Sequence, residues 1–116
     1  MTEQQGNVSG RNMPSGEAVR LDGLVEYATG SVVSRTLLKN QGGTLTLFAF
    51  DESQGLSEHR APFDAVVQVL EGEARLTIDG QPIPARAGEA VLMPANVPHS
   101  VHAITRFKML LTMLRG

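Results

Sequence analysis

The sequence predicts an all-β fold, a single sandwich or barrel, and three observations carry that prediction. From Val19 onward, short apolar runs alternate with Gly, Pro, Asn and Asp turn signals about every ten residues, enough for roughly nine or ten short strands. No stretch carries the apolar spacing of an amphipathic helix of three turns. At 116 residues the chain makes one domain with one packed core.

The elements follow in order. Residues 1–16 contain only Met1, Val8 and Met13 as large apolar side chains. They bury too little surface to offset their ordering entropy, so a flexible tail is expected there and a folded domain over 17–116. The run "SVVSRTLLKNQGG" is rich in β-branched residues and ends in the turn Asn40-Gln41-Gly42-Gly43. "TLTLFAFD" sets Leu45, Leu47 and Ala49 against Thr44, Thr46, Phe48 and Phe50, the period of a strand. "EARLTIDG" places Ala74, Leu76 and Ile78 on one face, with Asp79-Gly80 as a hairpin turn. "AGEAVLMPANVPHSVHAI" reads as strand, proline-bracketed loop and strand, and "FKMLLTMLRG" as a last apolar strand.

Composition excludes several functions. The chain has no cysteine, which removes disulfides, thiolate metal sites and cysteine nucleophiles together, and fits a reducing compartment. A net charge of −2 without any basic block lacks the footprint of a nucleic-acid or membrane-surface binder. The polar start has no apolar h-region and no run reaches membrane-spanning length, so a cytoplasmic protein is expected. No glycine-rich phosphate loop precedes a helix. Ser57, Ser100 and the carboxylates are scattered, and a serine beside a histidine, as Ser100 is beside His99, points the opposite way on a strand.

Two stretches are more specific. The first reads His59-x-Ala61-x3-Ala65-x6-Gly72, and the second Gly88-x5-Pro94-x-Asn96-x2-His99. Together with the wording "QVLEGEARLTIDG" and "AGEAVLMPANVPHSV", they resemble the two motifs of the cupin superfamily, over roughly residues 40 to 114. That resemblance implies a small jelly-roll barrel. It also implies a metal held by three histidines and a glutamate. His59 matches the first ligand and His99 the last, while Ala61 stands for the second histidine and Ala65 for the glutamate. Two imidazoles fall short of the three protein ligands usual at a catalytic metal.

Asp64 and His102 are the candidates for a third ligand, yet each is out of step with the inward face by strand parity, and a bulge would be needed to turn Asp64 inward. Gln68 has the same difficulty. The expected pocket comprises His59, Ala61, Ala65 and Val67 on one side, with Met93, His99 and Val101 facing them. Two alanines in place of ligands are expected to leave it roomy and dry, for an apolar small molecule with one polar anchor. Glu71 and Glu73 flank a turn and read as solvated, as do Glu58 and Arg60. Arg35 reads as a solvent or interface arginine, with a pocket cation as the rarer choice.

Three functions fit these residues: a metal-free or weakly metal-binding pocket for a small molecule, a metal-dependent oxygenase or isomerase using His59 and His99, and a non-catalytic dimerisation or accessory domain. Any cofactor would be a divalent transition metal, since imidazole suits iron, nickel, copper and zinc alike. The resemblance further implies a homodimer built by sheet extension, for which "SVVSRTLL" offers an edge strand.

Overall fold

The computed structural model describes residues 10–115 and is almost entirely β-structure. A single 3₁₀ turn, Leu21–Gly23, precedes nine strands: β1 Val32–Asn40, β2 Gly43–Phe50, β3 Gly55–His59, β4 Asp64–Glu71, β5 Glu73–Ile78, β6 Gln81–Arg86, β7 Ala90–Met93, β8 His99–Ala103 and β9 Phe107–Leu114. They form two antiparallel sheets, ordered β1-β2-β9-β4-β7 and β3-β8-β5-β6, which pack face to face as a jelly roll. Among the described residues no helix is long and apolar enough to cross a membrane.

Local chemistry sets the strand ends. Asp79 and Gly80 both take positive φ, 51° and 81°, as the two-residue turn between β5 and β6 requires. Gly72, at φ 80°, joins β4 to β5 where a Cβ would run into the Arg106 carbonyl and the Phe107 side chain. Strand β6 carries Pro82 and Pro84 and lies at the edge of its sheet, the place where a missing N–H does least harm.

The main core lies between the sheets. Phe50, Val67, Leu76 and Phe107 are fully buried there, and the Phe50 and Phe107 rings stack at 4.5 Å. A second cluster sits on the outer face of the five-stranded sheet. Leu37, Leu47, Ala49 and Leu110 are covered there by Val25, with Leu21, Leu24 and Tyr27 packed against them. Strand β2 is therefore buried on both faces, Phe50 inward and Leu47 outward, although its alternation alone looks half-exposed.

Polar contacts pin the covering segment. Arg35 donates to the carbonyls of Leu24 and Asn12, both at 3.0 Å, so it is neither a free surface arginine nor a pocket cation. The Tyr27 hydroxyl donates to Glu71 at 2.7 Å, and the buried Lys108 ammonium donates to the Asp22 carbonyl at 2.6 Å. Glu71 is thus engaged rather than simply solvated. The expected tail divides: residues 1–9 lie outside the described residues, whereas Gly10 and Asn12 bond to Lys39 and Leu37 and line part of the β1 edge.

Candidate functional site

A single displaced residue builds the site. Leu56 on β3 pairs with Val101 on β8, and regular counting would then set Glu58 opposite His99. A bulge between Leu56 and His59 shifts the register by one, so His59 faces His99 instead. The following loop is tied down on both sides: Asn96 N–H donates to the Ala61 carbonyl at 2.7 Å, and Ala95 N–H donates to Asp64 Oδ1 at 2.9 Å. Asn96 takes a positive φ of 66° there, a conformation that asparagine tolerates better than most residues.

The two imidazoles meet edge to face, with Nε2 atoms 3.2 Å apart and ring planes at 75°. His59 Nδ1 contacts the Ser57 carbonyl at 2.9 Å, and His99 Nδ1 contacts the Val97 carbonyl at 3.1 Å. A carbonyl oxygen can only accept, so both Nδ1 atoms donate and carry the ring proton. In the neutral rings both Nε2 lone pairs are therefore free and converge. Two lone pairs at that distance repel unless something electron-poor sits between them: a proton, an O–H or N–H, or a cation. His99 is 5% exposed, and burial, followed by the charge of His59 when protonated, pushes its pKa below 6.5. His59 is exposed and stands at the mouth.

Below the pair the walls are apolar. Ala61, Phe63, Ala65, Met93, Val101 and Met113 line the cavity with Leu56, Met109 and Leu111. Six of the seven expected pocket residues are in this lining; Val67 is not, being fully buried in the core. The volume is about 50 Å³, well under the ~300–1,000 Å³ of drug-sized ligand pockets. The cavity wall is mainly apolar, and against the expectation it is not roomy. Ala65 pairs across the sheet with both Met93 and Met113, so methionine side chains flank the position where a ligand carboxylate would stand.

The third-ligand candidates lie elsewhere. Asp64 is exposed and accepts from the Ala95 backbone, and no bulge turns it inward. His102 pairs with Arg75 and Gly55 on the outer face of the four-stranded sheet, and Gln68 is exposed on β4. Among the described residues no group of three His, Cys, Asp or Glu side chains could hold a metal. The donor set therefore does not fit a resident metal of the three-histidine, one-glutamate kind. Sequence reasoning did not attach Leu56, Phe63 or Leu111 to the pocket. Leu56 was recoverable only by knowing the bulge, and Phe63 only by knowing how the β3–β4 loop folds back.

Comparison with known proteins agrees with the two-sheet fold. A conserved Streptococcus pyogenes protein of unknown function superposes with a TM-score of 0.87 at 32% identity, covering 91% of this chain and 93% of its own. A cupin superfamily protein from Desulfitobacterium hafniense gives 0.86 at 29% identity, covering 91% and 97%. A cupin 2 conserved barrel domain protein from Leptotrichia buccalis gives 0.80 at 38% identity, covering 82% of this chain and 46% of its own. No curated protein matches the chain. The family model described as "Cupin domain" matches residues 46–114, more than half of the sequence, from within β2 to the end of β9. The chain belongs to the cupin family.

Proposed function

We propose that this cupin is a small-molecule binding protein whose pocket takes the apolar part of a ligand and accepts one hydrogen bond from it at the His59–His99 pair. One observation carries the reading. Both Nδ1 atoms are committed to backbone carbonyls, so the polar end of the pocket offers two acceptors and no donor while the rings are neutral. A matching ligand brings an O–H or N–H, and a ligand with only acceptors is disfavoured. The lowered pKa of His99 supports this reading, because burial disfavours a proton on its Nε2 lone pair.

Size narrows the ligand. A cavity of about 50 Å³ admits a few heavy atoms before side chains move. Methionine, with its unbranched and flexible chain, is the wall residue best suited to move aside. A small alcohol or phenol seated with its hydroxyl at the mouth fits this description. The alternatives of a metal-dependent enzyme and a purely structural barrel have no observation of comparable weight behind them.

The test uses an isosteric pair, phenol and toluene, titrated into protein carrying ¹³C-labelled methionine methyls. Phenol is expected to shift the Met93, Met109 and Met113 signals saturably. Toluene should bind about fivefold or more weakly, the worth of one net hydrogen bond of ~1 kcal/mol. In His99→Phe the preference should vanish. Equal affinities in the wild type would sink the acceptor reading, and no shift with either probe would sink the pocket.

A further inference from the structure

We infer that the same pocket is a site for a single monovalent soft metal ion, Cu(I), held by the Nε2 atoms of His59 and His99 and the thioethers of Met93 and Met113. The inference rests on the proposed acceptor pair and names a second chemical class of occupant for it.

Four observations converge on this site. The two Nε2 atoms are already 3.2 Å apart with their ring protons held elsewhere. A metal at the ~2.0–2.1 Å usual for imidazole nitrogen would join them at an angle of roughly 100°, with no ring movement required by that separation. The second observation is register. Met93 and Met113 both lie directly across from Ala65, so thioethers flank the place from which a carboxylate is missing.

The third observation is the absence of compensating charge. The pocket lining contains no Asp, Glu or Cys. A divalent ion would enter an apolar chamber with nothing to balance its charge, which low-dielectric surroundings penalise steeply. A monovalent ion meets a much smaller penalty. Both donor types are neutral and the thioethers are soft, a set that favours Cu(I) over hard divalent metals. The fourth is size: about 50 Å³ holds a single ion without any side chain moving aside.

The experiment uses the untagged full chain under anaerobic conditions, with Cu(I) partitioned against the chromophoric chelator bicinchoninate. Wild type is expected to take about one Cu(I) per chain, with sulfur scatterers in the copper X-ray absorption spectrum. Met93→Leu/Met113→Leu conserves side-chain volume and so should keep the fold. It should lower Cu(I) affinity by about tenfold or more, since even outer-shell partners of a metal are worth ~10–100-fold. His59→Ala should abolish stoichiometric binding, and Zn(II) alone should bind far more weakly to the wild type.

A double leucine variant that binds as well as wild type, a spectrum with nitrogen and oxygen scatterers only, or Zn(II) bound as tightly as Cu(I) would each overturn the inference. Phenol titration separates the two ideas. Phenol binding without Cu(I) binding sinks the metal site and leaves the acceptor pocket standing, whereas loss of both sinks both.

Discussion

Restoring the missing ligands is the sharpest test of the site's geometry. In Ala61→His/Ala65→Glu, the four residues of the family's donor set would stand together again. Position 65 is 5% exposed and sits between two methionines, so a glutamate there must use the cavity of about 50 Å³ or push those side chains aside. Overpacking of this kind costs about 1–3 kcal/mol. Burying the carboxyl adds a further ~1–3 kcal/mol on protein-based scales, less whatever the imidazoles recover as hydrogen-bond partners. The metal-free variant should therefore lose roughly 2–5 kcal/mol, which a domain of ordinary stability, ~5–15 kcal/mol, survives. Nickel(II) at about a hundred times its Kd would return ~2.7 kcal/mol. At roughly 4 °C per kcal/mol for a chain of this length, Tm should rise by about 10 °C. The assay is thermal unfolding followed by circular dichroism, with and without nickel, for both proteins, and wild type should shift by little. A folded double variant that ignores nickel would show that positions 61 and 65 do not converge on the histidine pair. A wild type that shifts as much as the variant would show that no ligand was missing.

Two further outcomes follow from backbone and charge. Gly72→Ala should destabilise by about 2 kcal/mol or more, because a positive φ of 80° combines with a Cβ driven into the Arg106 carbonyl; Gly80→Ala, at 81° with nothing within 4 Å, should cost only the left-handed strain of ~1–2 kcal/mol. Urea midpoints would check the ranking, and equal losses would refute the close approach at Gly72. For His99, burial and then His59 hold the folded pKa below the ordinary 6.5, so below pH 6.5 the unfolded chain binds the additional proton. Stability is expected to be full above that pH and to fall as pH drops toward the folded pKa, levelling off beneath it. His99→Gln should flatten that slope in a series of urea titrations, and an unchanged slope would assign it to another group.

Much of the architecture was legible in the chain itself. Period-two patterns in "EARLTIDG" and "DAVVQVLE" name their buried faces directly, since a strand must alternate and one face must be dry. Asp79-Gly80 and Gly72 announce their turns through backbone conformations that few residues accept. That His59 and His99 hold the first and last ligand positions, with Ala61 and Ala65 standing in the other two, was also readable, because the motif spacing survives the substitutions.

What only the tertiary structure decided depends on contacts between distant segments. The bulge in β3 that turns His59 toward His99 is a register shift, and register belongs to a pair of strands rather than to one. The covering of β2's outer face by residues 20–27 is invisible in β2's own alternation. Cavity size was the largest departure: alanines at 61 and 65 pointed to open space, but the cavity there, lined by Met93 and Met113 from two other strands, measures only about 50 Å³. A sequence names the donors it lacks. The volume those donors would have occupied is set by whichever neighbours pack into it, and close packing leaves little of it empty.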